Sequence, residues 1–296
     1  MSGQVALFDI PGPVMRRRIW IWSIVTAVAV VAVLIWVVLQ LVEKGQFAPK
    51  KWLPFVEEEG FAEFMLGGLG LTLGAAAVGI VLALILGILL AVLRMSQLRA
   101  VRIVTTVFVE IFRGAPVLLV MLFFFLAFPA IFKVSLPAFW TVVFALFLFN
   151  GAVICEIVRA GVAALPSGQT EAAKALGMSN LKLIRLILLP QALRVMLPTL
   201  ISQYIVLLKD TSLGFIIGYT ELLQRGQSAS LLFNNPLQTF ALIAIVYILL
   251  NSGVSRLSHW ISDRQQSRPG RTPKIDKLRP VTTAITLGVR PPRTVD

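Results

Sequence analysis

The segment FMLGGLGLTLGAAAVGIVLALILGILLAVL, Phe64–Leu93, is a run of 30 residues without a charged side chain. About 20 apolar residues in an α-helix cross the ~30 Å hydrocarbon core of a bilayer, so this segment predicts a transmembrane helix. Five further uncharged runs lie on either side of it, at Ile19–Val42, Gly114–Phe132, Val134–Cys155, Val195–Leu208 and Leu237–Ser255. The sequence therefore predicts an all-α membrane protein with about six transmembrane helices.

The composition of the whole chain agrees with this prediction. Of its 296 residues, 57% are hydrophobic and only 14% are charged, and the mean hydropathy is +0.87. Soluble domains carry about 25% charged residues, and disordered chains have low hydrophobicity. Both of those classes are excluded.

The small number of cysteine and histidine residues limits the metal-binding and catalytic chemistry that the chain can perform. The chain has one cysteine, Cys155, and one histidine, His259. They cannot form an internal disulfide, and they cannot supply the three or four ligands of a zinc site. We therefore expect no metal site and no catalytic residues, which makes an integral-membrane enzyme a poor competing interpretation.

The distribution of charge predicts the orientation in the membrane. The net charge is +13, from 27 Lys and Arg against 14 Asp and Glu. Most basic residues fall on one side of the predicted spans, beginning with Arg16, Arg17 and Arg18 before the first span. Because cytoplasmic loops carry the excess of Lys and Arg, both termini are predicted to be cytoplasmic. Topology and contact with anionic membrane lipid then explain the basic charge, and we expect no nucleic-acid partner.

The first apolar run, Ile19–Val42, is interpreted as a retained helix. Its apolar core is longer than the 7–15 residues of a signal-peptide core, and no clear cleavage site follows it.

The cytoplasmic loop between the fourth and fifth predicted spans has the most specific pattern. We predict that Thr170 caps a short helix over Glu171–Leu176, which ends at Gly177 in the left-handed conformation that glycine favours. Ser179 then starts a second helix, which Pro190 ends or kinks. A helix of six residues is unstable alone, so the first one requires a partner surface or the protein body.

This loop resembles the EAA signature of the membrane subunits of bacterial ABC importers. The matching positions are Glu171, Ala172, Ala173, Gly177, Ile187, Leu189 and Pro190. Five further segments resemble the polar-amino-acid branch of that family: GLGLTL from Gly68, VEIFRGAP from Val109, EIVRAG from Glu156, LPQALR from Leu189 and KDTSL from Lys209. Val153 departs from the aromatic residue found in many relatives. The segment NGAVICEIVRAG, which starts at Asn150, is similar to the corresponding segment of actinobacterial glutamate-type permeases.

The resemblance implies a transport subunit in a bacterial cytoplasmic membrane. In the family, two permease subunits, identical or related, form the path, two cytoplasmic ATPases bind below, and an outer solute-binding protein delivers the ligand. The EAA helix docks on the ATPase, which assigns ATPase coupling to Glu171, Ala172, Ala173, Gly177, Ile187 and Pro190. The chain lacks the Gly-x4-Gly-Lys-Ser/Thr string that cradles nucleotide phosphates. The chain is therefore expected to hold no cofactor, with ATP and Mg²⁺ on the partner ATPase.

The resemblance also divides the chain. It covers residues 64–262 and implies a core of five helices, so that 16–63 forms an extra N-terminal helix and an outer loop. Residues 1–15 and 263–296 are polar and rich in Pro, Gly and Arg, and they are predicted to be disordered cytoplasmic ends, the second one basic.

Charged side chains occur at membrane depth after the fifth apolar run. That run has only 14 residues, about 21 Å of helix, so it must continue through Lys209 and Asp210 or break there. One interpretation assigns the translocation path or its outer gate to Lys209, Asp210, Thr211 and Ser212. The other is a structural pair, or snorkelling of Lys209 to the interface.

Two acid–base pairs also lie near the predicted spans. Glu110 and Arg113, like Glu156 and Arg159, are three residues apart and share a helix face, where each pair can neutralise itself. The alternative is that these four residues contact the charged ends of an amino acid in the path.

A different class of function is a membrane anchor or scaffold whose basic tail binds anionic lipid. That interpretation predicts no ATPase partner, and it leaves the spacing of the EAA residues unexplained.

Overall fold

The computed structural model describes residues 12–266, which are helical and contain no β-strand. The helices in chain order are α1 Pro13–Glu43, α2 Pro54–Glu57, α3 Phe61–Arg94, α4 Arg99–Gly114, α5 Val117–Leu122, α6 Phe128–Phe132, α7 Ala138–Ala163, α8 Ser167–Ala175, α9 Asn180–Leu183, α10 Leu189–Asp210, α11 Leu222–Leu232 and α12 Pro236–Gln266. The ends called disordered above lie outside the described residues, except for 12–15 and 263–266, most of which belong to α1 and α12.

Among residues 12–266, five helical segments are long and apolar enough to cross a membrane: Pro13–Glu43, Phe61–Arg94, Ala138–Ala163, Asn180–Ile217 and Pro236–Ser258. A sixth crossing arises if Arg99–Gly114 and Val117–Phe132, which meet at a bend of 101°, form one broken span. The prediction of an all-α membrane protein with about six helices is confirmed.

Helices α3 and α7 form the centre of the bundle, and glycine lets them approach closely. A Cβ added at Gly87 would lie 2.5 Å from Ile154, and one at Gly151 would lie 2.7 Å from Leu86. Small residues at such crossings bring two membrane helices into extensive van der Waals contact. The alanines Ala75, Ala76, Ala83 and Ala91 of α3 are fully buried in the same interface region.

Helix α1 is separate from this bundle, since none of its 31 residues is buried. The loop that follows it is nevertheless attached to the start of α12. Gln238 donates a hydrogen bond to the Gln46 carbonyl, Lys51 Nζ donates to Gln46 Oε1 at 3.2 Å, and Asn235 Nδ2 donates to the Lys51 carbonyl at 3.0 Å. The extra N-terminal helix is thus joined to the core through its outer loop.

The fifth span is longer than the predicted run. The helix continues from Asn180 through Ile217, and Pro190 lies in the first turn of α10 instead of ending it. A π-helical turn over Ile184–Leu188 precedes Pro190 and accommodates its missing N–H group. In the same way, the π-helical turn Phe123–Ala127 directly precedes α6, which has Pro129 in its first turn.

The third span also differs from its predicted bounds, Gly114–Phe132. Its helical part begins at Val117, because Ala115 and Pro116 are extended and turn the chain sharply after α4.

Candidate coupling surface and translocation path

The loop with the EAA residues forms helix α8 on the predicted cytoplasmic side. The helix begins at Ser167, with Pro166 at its N-cap, so the prediction that Thr170 caps it is wrong and Thr170 lies inside the helix. Proline fixes a φ angle compatible with a helix start, which explains the earlier beginning. The predicted end is confirmed, because Gly177 has φ +73°.

The end of α8 is a Schellman motif. The Gly177 N–H donates to the Lys174 carbonyl at 2.9 Å, and the Met178 N–H donates to the Ala173 carbonyl at 3.1 Å. This pair of bonds requires a residue with positive φ just after the helix, and only glycine adopts that conformation without steric cost. Gly177 therefore determines the direction in which the chain leaves α8.

The EAA residues divide between two faces of α8. Ala173 is buried in a cluster with Leu183, Ile184 and Leu188, against which Met95 at the end of α3 also packs. Glu171, Ala172 and Gly177 are exposed, as is Leu176, whose relative exposure is 83%. One face of α8 is thus fixed to the protein body, and the other presents a carboxylate, small residues and a leucine to the solvent.

Two hydrogen bonds hold α8 and α9 to the membrane helices. Gln169 Nε2 donates to Gln191 Oε1 at 3.0 Å, and Asn180 Nδ2 donates to the Met95 carbonyl at 3.2 Å. The remaining two predicted coupling residues lie behind α8: Ile187 is half-buried and packs against the Ala173 cluster, and Pro190 is exposed.

The two predicted acid–base pairs are present, and the structure joins them into one cluster. Arg113 lies 3.2 Å from Glu110, and Arg159 lies 2.6 Å from Glu156. Arg94, which the sequence did not single out, connects them: its guanidinium is 2.8 Å from Glu156 and 3.2 Å from Glu110. The cluster ties the end of α3 to α4 and α7.

Exposure within the ion-pair cluster is uneven. Arg94 and Glu156 are mostly buried, whereas the side chains of Glu110, Arg113 and Arg159 are each more than 40% exposed. With three guanidinium groups and two carboxylates, the cluster carries a net charge of about +1.

The four residues from Lys209 to Ser212 lie where α10 changes into a 3-10 helix, Thr211–Ile217. Lys209 is exposed and Asp210 is half-buried, whereas Thr211 is fully buried and donates to the Leu208 carbonyl at 2.7 Å. Ser212 donates to the Lys209 carbonyl at 2.7 Å. Only Lys209 has a side chain that is clearly on the surface of the bundle.

A buried carboxylate that the sequence analysis missed lies beyond this segment. Glu221 is fully buried at the N-cap of α11, where it accepts hydrogen bonds from the Gln224 N–H at 2.9 Å and from the Tyr247 hydroxyl at 3.0 Å. Its carboxylate is also 3.4 Å from Thr72 Oγ1 of α3. Burial raises the pKa of Glu221, and these hydrogen bonds act in the opposite direction. The sequence signal that could have identified Glu221 is its position directly before the apolar start of α11, where a carboxylate can cap a helix.

A second missed pair lies inside the bundle. Gln203 Nε2 of α10 donates to Asn150 Oδ1 of α7 at 2.7 Å, and Asn150 Nδ2 donates to the Leu146 carbonyl at 2.9 Å. An asparagine in the middle of an apolar span was the signal for such an interhelical bond.

The chain matches the family model described as binding-protein-dependent transport system inner membrane component over residues 79–267. It therefore belongs to that family and is a multi-pass membrane protein, as the EAA resemblance predicted. The match covers most of the five-helix core and excludes α1.

The individual relatives are permeases that are named for the transport of amino acids. The chain is 41% identical to the glutamate transport system permease protein GluD of Corynebacterium glutamicum, over 78% of this chain and 84% of that one. It is 35% identical to the probable glutamine ABC transporter permease protein GlnP of Bacillus subtilis, over 68% and 94%. A crystal structure of an amino acid ABC transporter with histidines superposes with a TM-score of 0.66 at 28% identity, covering 71% of this chain and 98% of that chain.

Proposed function

We propose that this chain is the membrane-spanning subunit of an ATP-driven importer for polar amino acids in a bacterial cytoplasmic membrane. The observation that carries the proposal is helix α8, which has one face anchored in the bundle and the other exposed at the position of the EAA signature. A membrane anchor or scaffold would not need a helix with this division.

The partners are supported by the family match, whose description names a binding-protein-dependent transport system. A cytoplasmic ABC ATPase binds ATP and Mg²⁺ and docks on the exposed side of α8. An outer solute-binding protein delivers the amino acid, and a second permease subunit completes the path.

The packing of α8 supports a route by which ATPase movement reaches the membrane. Ala173 packs on Leu183, Ile184 and Leu188, which lead directly into α10, and Asn180 is bonded to the end of α3. A displacement of α8 would therefore move α10 and α3 together, because packed interiors transmit strain with little compression.

The path is assigned to the surface at the outer end of α10, with Lys209 as its exposed charge, Asp210 and Ser212 beside it, and Thr211 holding the segment from within. The ion-pair cluster of Glu110, Arg113, Glu156 and Arg159 is assigned a bracing role, because Arg94 joins both carboxylates across three helices.

Glutamate is the substrate that the relatives support best, since the GluD protein of C. glutamicum shares 41% of the aligned residues. Other relatives are named for arginine and glutamine transport, so these two amino acids are the competing substrates in the uptake test.

The test is reconstitution of the complex in proteoliposomes. The chain is expressed with an ABC ATPase, a second permease subunit and a solute-binding protein from the same genome, and uptake of labelled glutamate, glutamine and arginine is measured with and without internal ATP. We expect ATP-dependent uptake of a polar amino acid and copurification of the ATPase in mild detergent. A chain that purifies without any ATPase and supports no uptake would support the anchor interpretation instead.

A further inference from the structure

Contacts near both of its ends fix the direction of α4. The helix begins at Arg99, shortly after Arg94 at the end of α3, and Arg94 contacts Glu110 near the far end of α4 at 3.2 Å. Arg99 and Glu110 are separated by about 16 Å of helix. If α4 turned back along α3, Glu110 would lie that distance toward the middle of the membrane and away from Arg94. Helix α4 therefore runs across the end of α3.

The bend after α4 indicates the same orientation. Helix α4 and the segment Val117–Phe132 meet at 101°, so α4 lies close to the membrane plane when that segment crosses the bilayer. Val117–Phe132 forms about 24 Å of helix, and the extended residues Ala115 and Pro116 add about 7 Å. Together they reach across the ~30 Å of the hydrocarbon core. The crossing is therefore complete without α4.

Helix α4 lies at the same end of the bundle as the loop with the EAA residues. Asn180 in that loop donates a hydrogen bond of 3.2 Å to the carbonyl of Met95, which lies between α3 and α4. The segment Val117–Phe132 has no charged residue, whereas α4 contains Arg99, Arg102, Glu110 and Arg113. Charged side chains avoid lipid-exposed positions in the hydrocarbon, so α4 is suited to the cytoplasmic surface of the membrane.

Helix α4 has three faces with different surroundings. Thr105 and Val109 are buried and mark the face that packs on the bundle. Val104, Val107 and Ile111, each more than half exposed, form a purely apolar second face. The third face is charged and consists of Arg99, Arg102, Glu110 and Arg113. At 100° per residue, the centres of these faces are about 120° apart, which suits a helix that lies where protein, lipid and water meet.

Two charges of the third face have no partner in the described chain. Glu110 and Arg113 belong to the ion-pair cluster around Arg94. Arg99 and Arg102 are exposed, and neither forms an ion pair or a side-chain hydrogen bond with any residue between 12 and 266. A guanidinium group can bind two phosphate oxygens through parallel hydrogen bonds. The first turn of α4 therefore presents two positive charges whose chemistry fits a phosphate group.

We propose that α4 is an interfacial helix of the cytoplasmic leaflet that binds anionic phospholipid. Val104, Val107 and Ile111 lie at the boundary between headgroups and acyl chains, and Arg99 and Arg102 bind headgroup phosphates. Amphipathic helices with a basic polar face bind membranes in this way, through buried apolar area and attraction to anionic lipid.

A phospholipid accounts for both free faces of α4, because its phosphate and its acyl chains belong to one molecule. A docked ATPase that covered the charged face would leave Val104 and Val107 without an apolar environment. The bound lipid would also be connected to the bundle, since Arg94 joins Glu110 of α4 to Glu156 of α7.

Depth-dependent fluorescence quenching tests the position of α4. The full chain with Val107→Cys, labelled with the environment-sensitive fluorophore NBD, is placed in nanodiscs of phosphatidylglycerol and phosphatidylcholine. Native Cys155 is buried, and the unsubstituted chain measures its background labelling. We expect strong quenching by phosphatidylcholine brominated near the headgroup, and weak quenching by aqueous iodide or by lipid brominated near the chain ends.

Two control positions mark the alternatives. A label at Val81→Cys, on the exposed side of α3, should be quenched best by bromine near the chain ends, and one at Ala172→Cys, on α8, by iodide. A second α4 label at Ile111→Cys guards against a defect specific to position 107. Labels on α4 that behave like either control, or that no reagent quenches because protein covers them, would overturn the proposal.

The preference for anionic lipid is tested with the Val107 label. Quenching by brominated phosphatidylglycerol is compared with quenching by phosphatidylcholine that carries the same bromines at the same mole fraction. Because each basic residue near an anionic leaflet favours binding, we expect phosphatidylglycerol to be enriched about fivefold at the label. Equal quenching by the two lipids would refute an anionic-lipid site.

Substitution of the two arginines identifies the binding groups. The double variant Arg99→Gln, Arg102→Gln should lose the preference and keep its fold, because neither side chain pairs with another described residue. The matched control Arg16→Gln, Arg17→Gln removes the same charge from α1 and should retain the preference. A preference that persists in the α4 double variant would exclude Arg99 and Arg102 as the phosphate ligands. Neither measurement requires transport, so its outcome is independent of the importer function.

Discussion

Arg94 at the end of α3 donates a hydrogen bond of 2.8 Å to Glu156 of α7, across 62 positions of sequence. The same guanidinium contacts Glu110 of α4 at 3.2 Å. Arg94 therefore holds α3, α4 and α7 together close to the bend of 101° that follows α4. Because the bond spans two elements, no local spacing in the sequence could indicate it.

We expect Arg94→Met to destabilise the chain. The substitution keeps much of the side-chain volume but leaves the mostly buried Glu156 with fewer donors, and lost hydrogen bonds to a charged group cost about 1–3 kcal/mol. Thermal unfolding of the detergent-solubilised chain should show a lower Tm. Arg102→Met serves as the control, because Arg102 is exposed and forms no ion pair with a described residue. A Tm equal to that of the control would contradict the central role of Arg94.

Gly87→Ala should weaken the contact between α3 and α7. The added methyl group would lie 2.5 Å from Ile154 and 2.9 Å from the Gly151 carbonyl, so a side chain and the backbone must both shift. Overpacking of this kind costs about 1–3 kcal/mol. Gly74→Ala in the same helix meets no atom within 4 Å and should leave the Tm almost unchanged. Equal Tm values for the two variants would show that α3 and α7 do not rely on this close approach.

The sequence predicted the parts of the fold that depend on local apolar composition. The five continuous spans of the described chain follow from their apolar runs, and the conformation of Gly177 follows from the ending of a short helix. The start of α8 and the length of α10 could not be predicted in the same way, because proline has two roles. Pro166 begins a helix, whereas Pro190 lies in one that is continuous owing to the π-helical turn before it.

The parts of the candidate site that the sequence did not predict are contacts between residues far apart in the chain. Charge spacing identified the pairs Glu110–Arg113 and Glu156–Arg159, but Arg94 could be added only when α3 and α7 were seen side by side. Glu221 is a similar case, since its partner Tyr247 lies 26 positions away on α12.

We expect Tyr247→Phe to destabilise the outer half of the bundle. The Tyr247 hydroxyl donates to the buried Glu221 carboxylate, and its removal should cost about 1–3 kcal/mol. Tyr204→Phe is the matched control, because the Tyr204 hydroxyl has no hydrogen-bond partner among the described residues. The measurement is again thermal unfolding in detergent, and a similar Tm for both variants would contradict the prediction.

The cost of Tyr247→Phe should also depend on pH. Burial raises the pKa of Glu221, so the folded state binds its proton more tightly than the unfolded state does, and its contribution to stability is lost as the pH rises through the folded pKa. A protonated carboxyl group needs the tyrosine donor less than a carboxylate does. The difference in Tm between Tyr247→Phe and the unsubstituted chain should therefore be larger at alkaline pH than at acidic pH, and the opposite trend would contradict a buried, ionisable Glu221.

Gly177→Val should separate ATP hydrolysis from uptake. Gly177 has φ +73°, a conformation that strongly disfavours a β-branched residue, so the Schellman motif at the end of α8 would be lost and the exposed face would be presented at a different angle. Because Ala173 and the cluster around it are untouched, membrane insertion and assembly of the bundle should persist. Gly253→Val in α12 is the control, since Gly253 is an exposed helical glycine that meets no atom within 4 Å. In proteoliposomes, we expect the Gly177 variant to lose most ATP-dependent uptake while the control retains it. Normal uptake by the Gly177 variant would exclude this turn from the coupling between the ATPase and the membrane helices.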